Sequence, residues 1–369
     1  MKHKKSDLLL CILFCGFLFG MLALYLVLPT GDFSEKEKRY LEETPSLTWQ
    51  TLTSGEFGED VESWMADHIP GRDFLVGFQA YLDLFTGKQA TKDIYLAQGD
   101  RLVEAPQAMN ESAITRNMNA INKFAAAIGQ PVELMLVPSA GWCARDILRG
   151  VTNPYLDAAI LDAAYAQAAQ GVTPLDLTAA LTPEDFYRTD HHWTSAGAYE
   201  AYRVYMEHLG RDFVAEDGFT VTSHSGFYGS TYSRSGLWLT PGEEIELWDS
   251  GKSFTVTNRD SEGSHDSLFY PQRLQELDKY TGYLDANHSL VRIQNNEPDA
   301  AGKLLVIRDS YANCLGTFLA NSYAEVVLVD LRYYKEPISQ LVEAEGFDNV
   351  LVCYSLGNFM TDANIIFLR

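Results

Sequence analysis

The sequence is poor in cysteine and in basic residues. Of its five cysteines, Cys11 and Cys15 lie in the first apolar run, and Cys143, Cys314 and Cys353 are scattered among hydrophobic neighbours. This spacing shows neither a disulfide framework nor a paired metal site. The chain has 28 Lys and Arg against 50 Asp and Glu, a net charge of −22. Such an excess of acid argues against nucleic acid or an anionic membrane surface as the main partner.

Signatures of nucleotide and cofactor binding are also missing. The sequence has no internal repeat, no low-complexity tract, no phosphate-binding glycine loop and no dinucleotide fingerprint. We therefore expect no organic cofactor. A chain of 369 residues is long enough to bury one large core together with smaller pieces.

The amino-terminal segment has the pattern of a membrane anchor. Lys2, Lys4 and Lys5 precede an uncharged apolar run over residues 8–28, which is long enough to cross a bilayer as a helix. Positive charge before the run predicts a cytoplasmic amino terminus and an extracytoplasmic body. No small-x-small cleavage site follows, which favours an uncleaved anchor over residues 1–30 and places the protein in the cell membrane.

Residues 31–90 are polar, acidic and rich in aromatic side chains. Phe57, Val61 and Trp64 fall at helical spacing, which predicts a helical stalk that leads into the main domain. His68 in this stretch fits a surface or capping residue better than a ligand.

One segment, residues 303–334, predicts a strand, a tight turn, a helix and a second strand. Residues 304–307 form a continuous apolar run, typical of a strand buried on both faces, and the period becomes helical from Tyr311. Ser310 lies at the join. There its hydroxyl either projects from the carboxyl edge of the sheet as a nucleophile or caps the helix.

A second segment, residues 187–209, places two histidines before another helix. In an extended stretch Asp190 and His192 point to the same side and His191 to the opposite side. A carboxylate can then orient the His192 ring so that its other nitrogen takes a proton from a serine. The alternative is a pair of buried histidines whose hydrogen bonds are merely structural.

Strands and helices alternate from residue 93 onwards, which predicts an α/β domain with a parallel sheet and right-handed crossovers. The pattern predicts a hairpin around Gly99, a strand over 132–137 and helices over 112–128, 155–170 and 274–280. Ser139 also follows a strand and is a rival candidate for the nucleophile. It is the weaker candidate because the residues beside it indicate a loop and not the start of a helix.

Between residues 213 and 270 the composition changes to Gly, Ser, Thr and aromatic residues in short alternating runs. We interpret this stretch as a β-rich insertion that forms one wall of the site. Its aromatic and basic side chains either stack on sugar rings or form a small core. They are Phe227, Tyr228, Tyr232, Arg234 and Trp238.

The motifs resemble those of a known family. Asp-His-His-Trp at 190–193, Ile-Arg-Asp-Ser-Tyr-Ala-Asn at 307–313 and Asp-Leu-Arg-Tyr-Tyr at 330–334 are similar to the DHHW family of bacterial exported proteins. That family in turn resembles the SGNH-hydrolase-like domain of the alginate O-acetyltransferase J and X proteins. The resemblance implies an SGNH-like domain over residues 91–369, a parallel sheet flanked by helices.

By the same resemblance Ser310 is the nucleophile, His192 the base and Asp190 the orienting acid. The Asp190–His192 pair precedes Ser310 in the chain, whereas in ordinary SGNH hydrolases the serine motif comes first. This reversed order implies a circular permutation. Arg308 stands where a GDS motif has glycine, so the sequence departs from the ordinary motif at the residue two before the nucleophile.

Four further residues are candidates for substrate or oxyanion contacts. Family analogy puts Asn287 in a loop that faces the site, where its amide can donate to an oxyanion, although a turn residue is the commoner role. Arg332 follows a strand on the carboxyl edge and either holds a substrate oxygen or pairs with an acid. Arg308 and Tyr311 flank the serine motif and complete the set.

The resemblance implies a membrane-anchored O-acetyltransferase that acts on a cell-surface or secreted polysaccharide. A multipass membrane acyltransferase is the implied partner that supplies acetyl groups. A carbohydrate esterase with the same triad and a non-catalytic polysaccharide-binding or assembly protein remain alternatives. A metallohydrolase that uses Asp190, His191, His192 and Asp309 is disfavoured because adjacent histidines on a strand face opposite ways; we expect no metal.

Overall fold

The structure, a computed structural model, describes residues 2–28, 31–150, 153–261 and 263–368. Met1, Pro29 and Thr30 of the expected anchor lie outside the described residues, as does Glu262 of the expected insertion. The chain divides into two compact units. The first comprises residues 1–92 and 233–238, and the second comprises residues 93–232 and 239–369.

The described residues form twelve α-helices and fourteen strands, numbered here in chain order. The helices are α1 Lys2–Val27, α2 Trp49–Ser54, α3 Glu56–Asp67, α4 Arg72–Phe85, α5 Glu111–Ile128, α6 Ala140–Cys143, α7 Asp157–Tyr165, α8 Ser195–Leu209, α9 Ser230–Ser235, α10 Tyr311–Leu319, α11 Ile338–Glu345 and α12 Leu356–Thr361. The strands are β1 Phe33–Ser34, β2 Arg39–Tyr40, β3 Ala90–Thr91, β4 Ile94–Leu96, β5 Leu102–Glu104, β6 Val132–Val137, β7 Val172–Leu175, β8 Thr220–Phe227, β9 Glu243–Asp249, β10 Phe254–Asn258, β11 Leu290–Asn295, β12 Lys303–Arg308, β13 Glu325–Val329 and β14 Asn349–Ser355.

The first unit contains the apolar helix α1. Its Ser6–Tyr25 stretch has a mean hydropathy of 2.6 and is long and apolar enough to cross a membrane, so the helix is compatible with a single-pass anchor. At its end the Tyr25 hydroxyl donates a 2.9 Å hydrogen bond to the carbonyl of Met65 on α3. His68 caps α3, as expected, and is buried against Trp64 rather than at the surface.

The second unit is built on a seven-stranded sheet in the order β10-β11-β13-β12-β14-β6-β7. The five strands from β13 to β7 are parallel to their neighbours, and β11 and β10 add antiparallel pairs at one edge. Strand β12, which leads to Ser310, lies between β13 and β14. Ser310 is therefore at the carboxyl edge of the parallel part of the sheet.

Both faces of the sheet are covered, which confirms the α/β prediction. On β12, Leu304 and Val306 pack into the core that contains residues of α8 and α10, and Leu305 and Ile307 pack into the core that contains residues of α5, α7 and α11. Strand residues alternate between two apolar layers because successive side chains point to opposite faces.

Some expected elements differ in the structure. The alanine-rich helix is shorter, Asp157–Tyr165, because tight turns over 166–171 replace its carboxyl half. The helix expected over 274–280 is replaced by two 3-10 turns, Pro271–Gln275 and Lys279–Gly282.

The insertion is only partly an independent hairpin, because β8 pairs with β9 but β10 joins the edge of the main sheet. Of its aromatic residues, Phe227 and Tyr232 are buried and belong to a core, whereas Tyr228 is 38% exposed. Core packing, rather than sugar stacking, is therefore the role of Phe227 and Tyr232.

Candidate active site

Ser310 lies at the junction of β12 and α10 in a helical conformation, with φ −64° and ψ −21°. Its side chain makes no capping hydrogen bond, so the helix-cap hypothesis is wrong. Asp309 caps the helix instead, since its Oδ1 accepts the backbone N–H of Tyr311 at 3.0 Å. The hydroxyl of Ser310 lies 2.8 Å from Nε2 of His192.

The segment that carries the histidines is a compact loop, and the expected extended stretch is wrong. Phe186 and Trp193 form an isolated antiparallel bridge at the base of the loop. Tyr187 donates its N–H to the carbonyl of His192 and closes the turn. Trp193 is fully buried, and its Nε1 donates to the carbonyl of Tyr311, which fastens this loop to the start of α10.

The insertion holds the same loop from the other side. Glu243 on β9 accepts the backbone N–H groups of Arg188 and Thr189 at 2.8 and 2.7 Å. Ser230 donates its N–H to Oδ2 of Asp190 at 2.7 Å. Residues of the insertion therefore fix the backbone that carries Asp190 and His192.

Asp190 and His192 form a tightly bonded pair. Oδ1 of Asp190 accepts the backbone N–H of His192 at 2.9 Å and lies 2.6 Å from its Nδ1. Burial opposes ionisation of this carboxyl, but nearby His191 and His192 and the hydrogen bonds from His192 outweigh it and hold the Asp190 pKa well below its ordinary value. An ionised Asp190 keeps a proton on Nδ1, so the lone pair of Nε2 faces Ser310.

Asn287 is held by two residues of the segment that carries Ser310. Oδ1 of Asn287 accepts hydrogen bonds from Nη1 of Arg308 at 2.7 Å and from Nδ2 of Asn313 at 3.1 Å. Two donors on the oxygen settle the orientation of the amide, which leaves Nδ2 as its outward donor. Among the described residues, no acceptor binds this Nδ2 or the backbone N–H of Ser310.

The backbone before Asn287 is strained. Leu284, Asp285 and Ala286 have φ values of 53°, 59° and 75°, in the left-handed region that residues with a Cβ rarely adopt. Residues held in such conformations cluster at functional sites. Here they lead directly into Asn287.

Arg308 and Arg332 both contact Asp330. Arg308 is fully buried, and its Nη1 lies 3.6 Å from Oδ2 of Asp330. Burial lowers the pKa of the Arg308 guanidinium. Arg332 donates Nε and Nη2 to the same carboxylate at 2.9 and 2.6 Å, and these bonds raise its pKa. The pairing of Arg332 with an acid is thus present, whereas Arg308 contacts Asn287 and not solvent.

Asp309 is a buried residue whose role the sequence did not reveal. Its Oδ2 accepts the N–H and the hydroxyl of Ser355 at 2.8 and 2.7 Å, and Nδ2 of Asn358 at 2.8 Å. Ser355 ends β14, the parallel neighbour of β12. The available signal was the Ser-Leu-Gly-Asn sequence at 355–358, which directly follows the apolar run over 350–354.

Ser139, the rival nucleophile, is a helix cap. Its Oγ accepts the N–H of Trp142, and its own N–H donates to Asp157. No histidine is among its partners in the described residues.

The ligand atoms of Asp190, His191 and His192 lie within 4.8 Å of one another. The expectation that His191 faces away from His192 is wrong, because the two ring centroids are 3.9 Å apart. Both ring nitrogens of His192 are already bonded, to Asp190 and Ser310. A metal ion bound through His192 would have to displace one of these hydrogen bonds.

Residues 91–273 match the family model for the SGNH hydrolase-like domain of the acetyltransferase AlgX. The chain carries an SGNH hydrolase-like domain. The match supports an O-acetyltransferase-like function for this chain, that is, an enzyme of the acyltransferase class. No curated protein sequence matches the chain.

Several solved structures are similar to this chain. A DHHW family protein from Eubacterium siraeum is 18% identical, with a TM-score of 0.63, and the match covers 75% of this chain and 95% of that one. Bacillus cereus PatB1 with a sulfonyl adduct is 21% identical, with a TM-score of 0.63 and coverage of 75% and 98%. The O-acetyltransferase domain of Pseudomonas putida AlgJ is 17% identical over 73% and 92%, with a TM-score of 0.42. The first two structures, each with a TM-score of 0.63, show that the fold is shared.

Proposed function

We propose that the protein is a membrane-anchored, extracytoplasmic O-acetyltransferase that modifies a cell-surface or secreted polysaccharide through an acyl-serine intermediate. The observation that carries the proposal is the hydrogen-bonded line from Asp190 through both ring nitrogens of His192 to the hydroxyl of Ser310. The family match supports acetyl as the transferred group.

In the first half-reaction, Oγ of Ser310 attacks the carbonyl carbon of the acetyl donor, and its proton passes to Nε2 of His192. Asp190 stabilises the imidazolium through the hydrogen bond at Nδ1. When the tetrahedral intermediate collapses, the bond to the leaving group breaks and the leaving group takes the proton from Nε2. Acetyl-serine remains on the enzyme.

The negative oxygen of that intermediate needs preorganised donors. The backbone N–H of Ser310 and Nδ2 of Asn287 are suitable, because Arg308 and Asn313 already hold the Asn287 carbonyl oxygen. Arg308, in the place of the usual glycine, therefore supports the oxyanion geometry by orienting Asn287.

In the second half-reaction, a sugar hydroxyl gives its proton to Nε2 of His192 and attacks the acetyl-serine carbonyl. The sugar ester forms, and the proton returns from Nε2 to Ser310 as the acyl bond breaks. The proposal includes a membrane-embedded acyltransferase as the source of acetyl groups, and an anchor at α1 would keep the enzyme beside such a partner.

The test is acetyl transfer by the full chain in detergent. We would supply an activated acetyl ester with a panel of acetyl-free bacterial polysaccharides, and measure glycan-bound acetyl and free acetate for the native chain and Ser310→Ala. The proposal expects glycan acetylation that Ser310→Ala abolishes. Acetate release that no glycan diverts would establish an esterase. Glycan binding without turnover, equal in both variants, would establish a binding protein.

A further inference from the structure

The imidazole of His192 is covered on one face by Tyr280. The two ring centroids are 3.8 Å apart, and the planes differ by 10°, a parallel stack. Tyr280 lies in the 3-10 turn Lys279–Gly282, which Asp278 caps by accepting the N–H of Tyr280. Tyr187 and Tyr283 pack edge-on against Tyr280, so its ring is itself held in place.

The opposite face of the imidazole is covered by His191. Its ring centroid is 3.9 Å from that of His192, with the planes tilted by 36°. Two rings this close to the same centroid cannot share one face, because the stacked Tyr280 ring already fills it. Nδ1 of His191 is bonded to Oγ of Ser230 at 2.7 Å, which fixes the second cover.

The ring of Tyr280, rather than its hydroxyl, is what this arrangement uses. Tyr280 is 4% exposed, and its hydroxyl is buried with no hydrogen-bond partner among the described residues. A buried hydroxyl without a partner adds nothing that holds the side chain in place. Only the aromatic face meets the imidazole.

We propose that Tyr280 and His191 are positioning residues that clamp His192 between them. The inference rests on the proposed function and deepens it. With both faces covered and both nitrogens bonded, the ring keeps Nε2 aimed at Ser310 throughout the reaction. When the proton moves from Oγ to Nε2 the ring becomes a cation, and the π face of Tyr280 attracts that cation. The clamp thus assists acylation without touching the substrate.

Replacement of Tyr280 tests the clamp. In Tyr280→Leu the stacked ring is lost while the site stays apolar, and we expect kcat for acetylation of Ser310 by an activated ester to fall about tenfold, with KM nearly unchanged. Tyr280→Phe keeps the ring and removes only the unpartnered hydroxyl, so this variant should acylate at the native rate. His191→Ala should lower kcat in the same way, and His191→Phe should recover part of the loss.

A spectroscopic reading separates failure of the clamp from failure of the proposed function. In the full chain with labelled histidine, the ring protons of His192 should show an upfield ring-current shift that Tyr280→Phe keeps and Tyr280→Leu reduces, since only the His191 ring then remains against the imidazole. The clamp is overturned if that shift is absent, if Tyr280→Leu acylates at the native rate, or if Tyr280→Phe is as slow as Tyr280→Leu. If the native chain never acylates, the proposed function fails while the shift still reports whether the ring is covered.

Discussion

Gly229 packs directly against the orienting acid. A Cβ added at this position would lie 2.1 Å from Cβ and 2.5 Å from Oδ2 of Asp190. Neither atom can give way without moving Asp190 away from His192. The glycine therefore belongs to the site although it has no functional group.

Gly229→Ala should disable the enzyme through this displacement. We expect acetylation of Ser310 to fall about 100-fold, the scale of a small misplacement of a reacting group. The rate of acetyl incorporation, measured by mass spectrometry, checks this. Gly58→Ala, where nothing lies within 4 Å of the added Cβ, is the matched control. Native activity in Gly229→Ala would contradict the geometry of Asp190.

Single residues also show how much of the site could be predicted from the sequence. Ser310, His192 and Asp190 were predicted as partners because each lies in a short motif with its own chemical signal and the family resemblance pairs the two motifs. The contact of Arg308 with Asn287 was not predicted, since nothing in the spacing of two segments 21 residues apart shows that a buried guanidinium will hold an amide. The prediction that His191 points away from His192 was wrong. Side chains alternate between two sides only in extended chain, and residues 187–192 form a loop.

Strands β12 and β14 are joined at their carboxyl ends by Asp309. This buried carboxylate takes three hydrogen bonds from Ser355 and Asn358 on one oxygen, and one from Tyr311 on the other. It therefore sets the position of the turn that carries the nucleophile.

Asp309→Asn should loosen that turn, because an amide nitrogen would face donors that now meet an oxygen. We expect the free energy of unfolding to fall by about 3 kcal/mol, together with the rate of acetylation. Urea denaturation in detergent measures the first effect. Asp299→Asn, at an exposed loop position, is the control. Unchanged stability and rate in Asp309→Asn would show that the network does not hold the serine.

A surface cluster links helix α11 to the sheet. Glu345 accepts two 2.8 Å bonds from Arg292 on β11 and a 2.7 Å bond from Lys303 on β12. The bond from Arg292, supported by Lys303 and opposed by burial, lowers the pKa of Glu345 from 4.5 to about 2. A lowered folded-state pKa means that the contribution to stability is complete above the unfolded value and is lost as pH falls towards 2.

Glu345→Gln should accordingly be less stable than the native chain at pH 6, and the difference should shrink between pH 4.5 and pH 2. Free energies of unfolding at a series of pH values give this curve. Glu343→Gln changes an exposed carboxylate of the same helix and serves as the comparison. A stability difference that grew on acidification would have the wrong sign for the linkage.

At the level of elements, the apolar runs of the central sheet were readable because each buried strand is a continuous apolar segment. Strand β6 begins and ends where the sequence indicates. The helix over 155–170 was predicted too long, since alanine favours helix but carries no stop signal. The edge position of β10 was missed because strand pairing depends on the whole sheet.

The whole molecule combines an apolar helix with an acidic body. The helix α1 is compatible with an anchor, and the lysines before it predict that the body is extracytoplasmic. Cys143, Cys314 and Cys353 are buried, so a new surface cysteine can report the side on which the body lies.

Asp299→Cys, on an exposed loop of the second unit, provides that reporter. In right-side-out membrane vesicles, an impermeant thiol reagent should label this variant, and in inside-out vesicles it should not. The native chain gives the background from Cys11 and Cys15. Labelling confined to inside-out vesicles would place the body in the cytoplasm and contradict the proposed acceptor.

The central claim is that Ser310 carries the acetyl group because His192 takes its proton. The most direct measurement exposes the full chain to an activated acetyl ester and locates acetyl on the peptide that contains Ser310 by mass spectrometry. We predict one acetyl at Ser310 in the native chain, none in Ser310→Ala and a much slower appearance in His192→Ala. Acetylation elsewhere, or at the same rate without His192, would contradict the account.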